Sequence, residues 1–313
     1  MLHYIIRRLL YLIPTLLGVA LIFFLIFNVV GGNEKYLYNM LPQKARSEEQ
    51  VEFYREKYGL DKPLFLQYTD MIKQMVTLDF GRSESRKLPV STLIKRHVPN
   101  SAALTFPAFF LELTISLTIS CLCAFYRGRF IDRFFTVFSV VGMSISMLVL
   151  IILGQNLLAY QWGLFPISGW TRGIGAVRYL ILPWILWVTV SIGYDIRFFR
   201  TALLEEVHKD YVRTARAKGV SNRRIMFRHV LRNALIPILT SVVIQIPFLL
   251  TGSLLLERFF SIPGIGDLTL QAITSYDLPV LKAMIVIYTL FFITFSLLTD
   301  ILYALADPRV RLS

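Results

Sequence analysis

Asp210–Pro237 reads DYVRTARAKGVSNRRIMFRHVLRNALIP, a basic, helix-forming stretch set between two long apolar blocks. Arg197 to Arg232 holds ten basic and three acidic side chains, and a single Arg, Lys or Asp at the centre of a bilayer costs about 2.5–3.5 kcal/mol on insertion scales. The stretch must therefore stay in water while its flanks need not. Composition points the same way. Of 313 residues, 55% are hydrophobic and only 17% charged, too apolar for an ordinary soluble domain, and the apolar residues come in long blocks.

Working outward, about six blocks reach the ~20 helical residues that span a ~30 Å hydrocarbon core: Leu9–Val30, Asn100–Tyr126, Phe134–Tyr160, Val177–Ile196, Ala234–Leu256 and Val280–Leu305. The expected fold class is all-α, a polytopic membrane protein of six transmembrane helices with an extracytoplasmic subdomain between the first two. Its divisions are an N-terminal helix (1–30), an extracytoplasmic segment (31–99) and a five-helix core (100–313) whose cytoplasmic loop is 197–233. An even number of spans puts both termini on one side. Basic residues of short loops set the orientation: Arg7, Arg8, Arg127, Arg129, Arg133, the ten of the basic loop, Arg309 and Arg311 face only Arg172, Arg178, Arg258 and Lys282 across the membrane. Termini and basic loop are expected to be cytoplasmic. Segment 31–99 carries twelve basic residues but also nine acids, and is too long for the rule. Within it, short helices are expected near Ser47–Tyr58 and Pro63–Leu78, parted by Gly59 and Pro63.

The net charge of +13 sits mostly beside spans, where it sets topology and meets anionic lipid headgroups, so membrane lipid is an expected partner and nucleic acid is not. Leu9–Val30 follows a basic start as a signal peptide's core does, but it is too long and lacks a small-x-small cleavage site; it reads as a retained span. Cys121 and Cys123, two apart on a helix, point about 200° from one another and cannot share a metal; they read as small buried hydrophobes. Trp162 and Trp170, in the glycine-rich connection around Phe165-Pro166, suit the headgroup level. Ser261-Ile262-Pro263-Gly264-Ile265-Gly266 interrupts the apolar run after Glu257-Arg258 and reads equally as a re-entrant, gate-like loop or as a simple turn.

Within the basic stretch, Leu204, Val207, Tyr211 and Ala215 recur at three- and four-residue steps, predicting a helix from about Ala202 to Lys218 with one apolar stripe. Gly219 ends it and Ser221 can cap the next. A solvated, lipid-facing loop would satisfy the charges. The small-residue corner of Thr214, Ala215 and Ala217 around Gly219 favours docking instead, because small side chains let two backbones approach.

Here the sequence resembles the membrane subunits of ABC importers of the dipeptide, oligopeptide and nickel type. The resemblance rests on Asp210 to Gly219, on His229 to Pro237, and, in order along the chain, on Ile6-Arg7-Arg8-Leu9, Tyr58-Gly59-Leu60-Asp61-Lys62-Pro63, Leu78-Asp79-Phe80-Gly81-Arg82-Ser83, Phe260 to Gly266 and Asp307-Pro308-Arg309. It implies a permease of a bacterial cytoplasmic (inner) membrane that moves di- or oligopeptides, with nickel or another small solute as the alternative. It also implies a short coupling helix carrying Asp210, Tyr211, Arg213, Thr214, Ala215, Ala217, Lys218 and Gly219 that docks on an ATP-hydrolysing subunit. The implied partners are a homologous second permease subunit, two ATP-binding subunits that hold ATP and Mg, and an extracytoplasmic solute-binding protein. Two departures stand out. The Glu of the Glu-Ala-Ala loop motif is replaced by Arg213, so an acidic contact cannot be carried over. The third span reads Ser144-Ile145-Ser146-Met147 where the family often has Ser-Ile-Pro, so no kink is expected there.

The chain has no Gly-x-x-x-x-Gly-Lys-Ser/Thr, hence no P-loop and no nucleotide cofactor of its own; an enzyme is not expected. His3, His97, His208 and His229 all fall outside the expected spans, which removes an intramembrane hydrolase. An ion-coupled secondary transporter would use midplane acids and would need no basic coupling loop. Glu112 is the midspan acid. It reads equally as lining a pathway or as meeting a structural partner, whereas Asp195 and Asp300 are expected near span ends, within reach of water or Arg. Pro183, Pro237 and Pro247 read as helix benders.

Overall fold

The computed structural model describes residues 2–26, 48–57, 59–250 and 253–306. The close of the first expected span (27–30), the opening of the extracytoplasmic segment (31–47), Tyr58 and Asp307-Pro308-Arg309 lie outside the described residues, as do the side chains of His3, Arg7, Arg8, Pro247 and Asp300. Among the described residues the chain is all-α; one isolated bridge, Arg82 to Pro89, is the sole extended pairing. In order the helices are α1 (Leu2–Phe24), α2 (Glu48–Lys57), α3 (Leu64–Thr77), α4 (Val90–Phe125), α5 (Phe130–Ser144), α6 (Met147–Gly154), α7 (Val177–Val207), α8 (Asp210–Ala217), α9 (Leu231–Leu250), α10 (Leu254–Phe259), α11 (Ile265–Thr274) and α12 (Leu278–Ala306). A wide helical turn, Gln155–Gln161, prolongs α6, and another, Ile225–Val230, leads into α9.

Four helices are long and apolar enough to cross a membrane, and the bent pair α5–α6 would make five; α1 offers a shorter apolar stretch, Ile13–Phe24. The short helices expected between the first two spans are α2 and α3. Several expected boundaries move. α4 begins at Val90, ten residues before the expected span, and runs through Pro99 and Pro107. The helix continues through Pro99 although its ring leaves Lys95 O without the usual amide donor, and the Asn100 side chain that follows bonds back to Arg96 O at 3.2 Å. The span expected to reach Leu256 is broken before it: the described helix runs to Leu250, and Ser253 is extended and accepts from Leu256 N to open α10.

The expectation of an unkinked third span fails outright. α5 and α6 meet at 96°. Ile145 (φ −90°, ψ 125°) and Ser146 (φ −65°, ψ 137°) are both extended, and Ser144 Oγ bonds back to Val140 O at 2.9 Å. Hydroxyls that compete for helix carbonyls can open a helix as a proline does.

α4 and α7 form the central pair, α5 lies along α7, and α9 packs on α12, α4 and α7. Their interior divides by height. One cluster gathers Leu104, Leu180, Leu182, Leu256, Phe260 and Ile262; another gathers Cys121, Phe199, Leu203, Val212, Ile225 and Val230. Since Ser101 and Cys121 are twenty residues apart on one helix, the two ends of the bundle are ~30 Å apart. Cys121 and Cys123 are buried and free, as expected of small hydrophobes. Trp162 is exposed, while Trp170 packs against the first of these clusters.

Candidate functional site

The basic stretch folds as helix, corner, helix, with one correction. The helix expected from Ala202 to Lys218 is two helices. α7 stops at Val207, Lys209 turns extended (φ −73°, ψ 152°), and α8 restarts at Asp210. The break is held by local polar contacts: Lys209 Nζ pairs with Glu206 Oε1 at 2.9 Å, and Tyr211 OH donates to Glu206 Oε2 at 2.6 Å. Burial pushes the Tyr211 phenol up to about 12, so it remains a donor. His208 donates from Nδ1 to Leu204 O at 2.6 Å, which leaves Nε2 to accept from Arg127 Nη1 at 2.6 Å.

α8 is rooted by Val212 and Ala215, both buried against Phe199, Leu203, Ile225 and Val230. Spacing singled out Ala215 but missed Val212, which the broken helix rotates inward. Asp210, Arg213, Thr214, Arg216, Ala217 and Lys218 are exposed. Gly219 closes α8 at φ +74°, with Gly219 N donating to Arg216 O at 2.9 Å and Val220 N to Ala215 O at 3.2 Å, the paired bonds of a left-handed helix stop. A Cβ at Gly219 would meet nothing within 4 Å, so the glycine serves backbone conformation and leaves the corner open. Ser221 stands at the start of the next helical turn, but its hydroxyl makes no capping bond. Behind this corner, Asp132 accepts from Arg200 Nε and Nη2 at 2.6 and 2.9 Å and from Gly128 N at 2.8 Å, fixing the α4–α5 turn to α7.

At mid-bundle Glu112 is buried and accepts from Trp187 Nε1 at 2.8 Å. Asp195, expected near a span end, is also buried, because α7 continues twelve residues past it. Gln245 Nε2 donates to Asp195 Oδ1 at 3.3 Å, so α4, α7 and α9 meet there in one polar cluster. No group of side chains able to hold a metal occurs among the described residues.

At the far end the Ser261–Gly266 interruption proves to be a built joint. Glu257, on α10 and outside the spans, is fully buried. It accepts from Ser101 Oγ at 2.7 Å and from Asp267 N at 2.9 Å, while Ile265 N donates to Ser101 Oγ at 2.7 Å. Asn100 Nδ2 donates to Pro263 O at 2.8 Å. A Cβ on Gly264 would lie 2.3 Å from the Glu257 carboxyl carbon, so only glycine admits the carboxylate. Nearby, Asp277 accepts from Ser83 Oγ and Ser85 Oγ, both at 2.6 Å, tying the segment before α4 to the α11–α12 turn.

Residues 116–312 match the family described as binding-protein-dependent transport system inner membrane component, and residues 1–107 match that family's N-terminal region. The chain belongs to this family. As an ABC importer permease it is similar along its whole length to the oligopeptide transport system permease protein AppB of Bacillus subtilis, with 36% identity covering 98% of this chain and 99% of AppB. The dipeptide transport system permease protein DppB of Lactococcus lactis subsp. cremoris is also 36% identical, with both chains covered in full. The glutathione transport system permease protein GsiC of Salmonella typhimurium is 33% identical over 99% of each. In fold, the permease is similar to a chain of the inward-facing MetNI methionine ABC transporter, at TM-score 0.56 and 19% identity, covering 69% of this chain and 97% of that one. It is thus a multi-pass inner-membrane subunit of an ABC importer, and the hydrolytic chemistry of such importers resides in partner subunits.

Proposed function

We propose that this permease forms, with a homologous second subunit, the translocation pathway for di- or oligopeptides. Two ATP-binding subunits holding ATP and Mg power it, and an extracytoplasmic solute-binding protein delivers the substrate. The observation that carries the coupling part is α8, a short helix anchored by Val212 and Ala215 whose opposite face, Arg213, Thr214, Ala217 and Gly219, nothing in the described chain covers. The full-length likeness to permeases named for oligopeptides and dipeptides supports the substrate class. In this reading both termini and the 197–233 loop are cytoplasmic, α2 and α3 belong to an extracytoplasmic segment, and six spans cross the bilayer. Closure of the ATPases pulls on α8, and the permease shifts between inward-open and outward-open populations. The pathway role considered for Glu112 passes to its cluster with Trp187, Asp195 and Gln245, polar groups that are costly at that depth unless they are used.

Gly219→Leu tests the coupling. A branched side chain in the left-handed region costs about 1–2 kcal/mol and fills the corner. In the assembled importer, receptor-stimulated ATP hydrolysis and peptide uptake should both fall about tenfold or more; unchanged coupling would overturn the assignment of α8.

A further inference from the structure

Beside α8 the surface carries two contiguous recesses that the transport reading does not use. One, of about 560 Å³, is lined by Arg127, Arg129, Arg216 and Asn222 together with Tyr126. The other, of about 490 Å³, is apolar, running over Leu117, Cys121, Leu122, Phe227 and Leu231, with Arg223 at its margin. They share Phe125, Tyr126 and Met226 as a common wall, and no carboxylate lines either. Asp132, in the first turn of α5, is paired with Arg200. Arg127 is held by His208 and Arg129 lies 5.7 Å from the Tyr126 ring centroid, while Arg216 and Arg223 form no ion pair among the described residues. The apolar recess lies where two candidate spans end, Val90–Phe125 and Asn222–Ile246, with Leu122, Phe125 and Phe227 exposed. A cation-rich pocket opening at the membrane surface into an apolar groove along the spans is complementary to an anionic amphiphile, and to neither a free ion nor a neutral one.

We infer that these recesses together hold one anionic glycerophospholipid, its phosphate between Arg129 and Arg216 and an acyl chain in the groove over Cys121. Because Arg129 belongs to the α4–α5 turn and Arg216 to α8, the headgroup bridges the turn to the helix and sets the position of α8. That consequence rests on the coupling reading; the binding itself does not.

Purified importer is delipidated, exposed to vesicles of phosphatidylcholine alone or of an equal mixture with phosphatidylglycerol, and the retained lipid is counted by native mass spectrometry. Wild type should keep phosphatidylglycerol in preference to phosphatidylcholine. The double variant Arg129→Gln/Arg216→Gln, which removes two exposed charges, and Leu122→Trp, which fills the groove, should each lower its retention about tenfold, with thermal unfolding unchanged to show that both still fold. Unchanged retention in either variant overturns the site. So does displacement of the retained lipid by soluble glycerol phosphate, which would assign a free anion, or retention only by importer stripped of its ATP-binding subunits, which would assign an acidic protein surface. Lower uptake in pure phosphatidylcholine, rescued by phosphatidylglycerol in wild type but not in the double variant, would support the bridge to α8. Retention without that rescue would leave the lipid site standing and count against the coupling role.

Discussion

At the scale of single residues, burial decides what composition leaves open. Glu257 in the sequence is merely the acid before a loop, yet the fold encloses it and burial pushes its carboxyl up to about 7, despite opposing hydrogen bonds from Ser101 and backbone amides. A carboxyl raised from its ordinary 4.5 favours the proton in the folded state. Its stabilising contribution is therefore complete below the ordinary value and is lost as pH rises through about 7. The purified permease should melt higher near about pH 5 than near about pH 8, and Glu257→Gln should flatten that difference; a Gln variant with the full wild-type slope would reject the assignment. Glu112 was legible as a midspan acid. Its companions Asp195 and Gln245 were not, because nothing local reports that three helices converge. Gly219 was legible from its position alone, since a positive φ is a property of the chain and not of its neighbours.

Among elements, the interrupted helices separate what pattern reports from what contacts decide. The bend between α5 and α6 occurs without proline, but Ser146 already has φ −65° and follows an extended Ile145, the geometry a proline and its predecessor require. Its amide donates no backbone bond across the break. Ser146→Pro should therefore be tolerated and should stabilise by about 0.4–1 kcal/mol by stiffening the unfolded chain, read as a higher denaturation midpoint in detergent; a clear loss would mean that the bend is not fixed at Ser146. The α4–α5 turn makes the opposite case. Asp132→Asn removes the charge from a bidentate pair of which Arg200 is 25% exposed, so the cost should be about 1–2 kcal/mol, with thermal unfolding as the measurement. The apolar stripe through Leu204, Val207, Tyr211 and Ala215 predicted one helix because periodicity records which side faces inward. It is blind to a two-residue break after which the second helix turns Val212 inward beside Ala215.

For the whole molecule, the nature of the proposed function sets the test. A permease driven by partner subunits should reach the membrane when expressed alone yet transport nothing; with its partners present, uptake should stop on ATP depletion while ion gradients are clamped. Persistent uptake under that clamp would restore the secondary-transporter reading. The sequence alone determined the membrane class, the all-helical fold, the family and the basic stretch that must stay in water, because bilayer length, the cost of burying charge and ordered motifs act locally along the chain. Only the tertiary structure decided that Val212 anchors α8, that Ser101 and Glu257 join the two sides of the Ser261–Gly266 loop, that Glu112 meets Trp187, and that α5 and α6 part at 96°. Those outcomes depend on which helices lie side by side, and packing between distant segments is written in no single one of them.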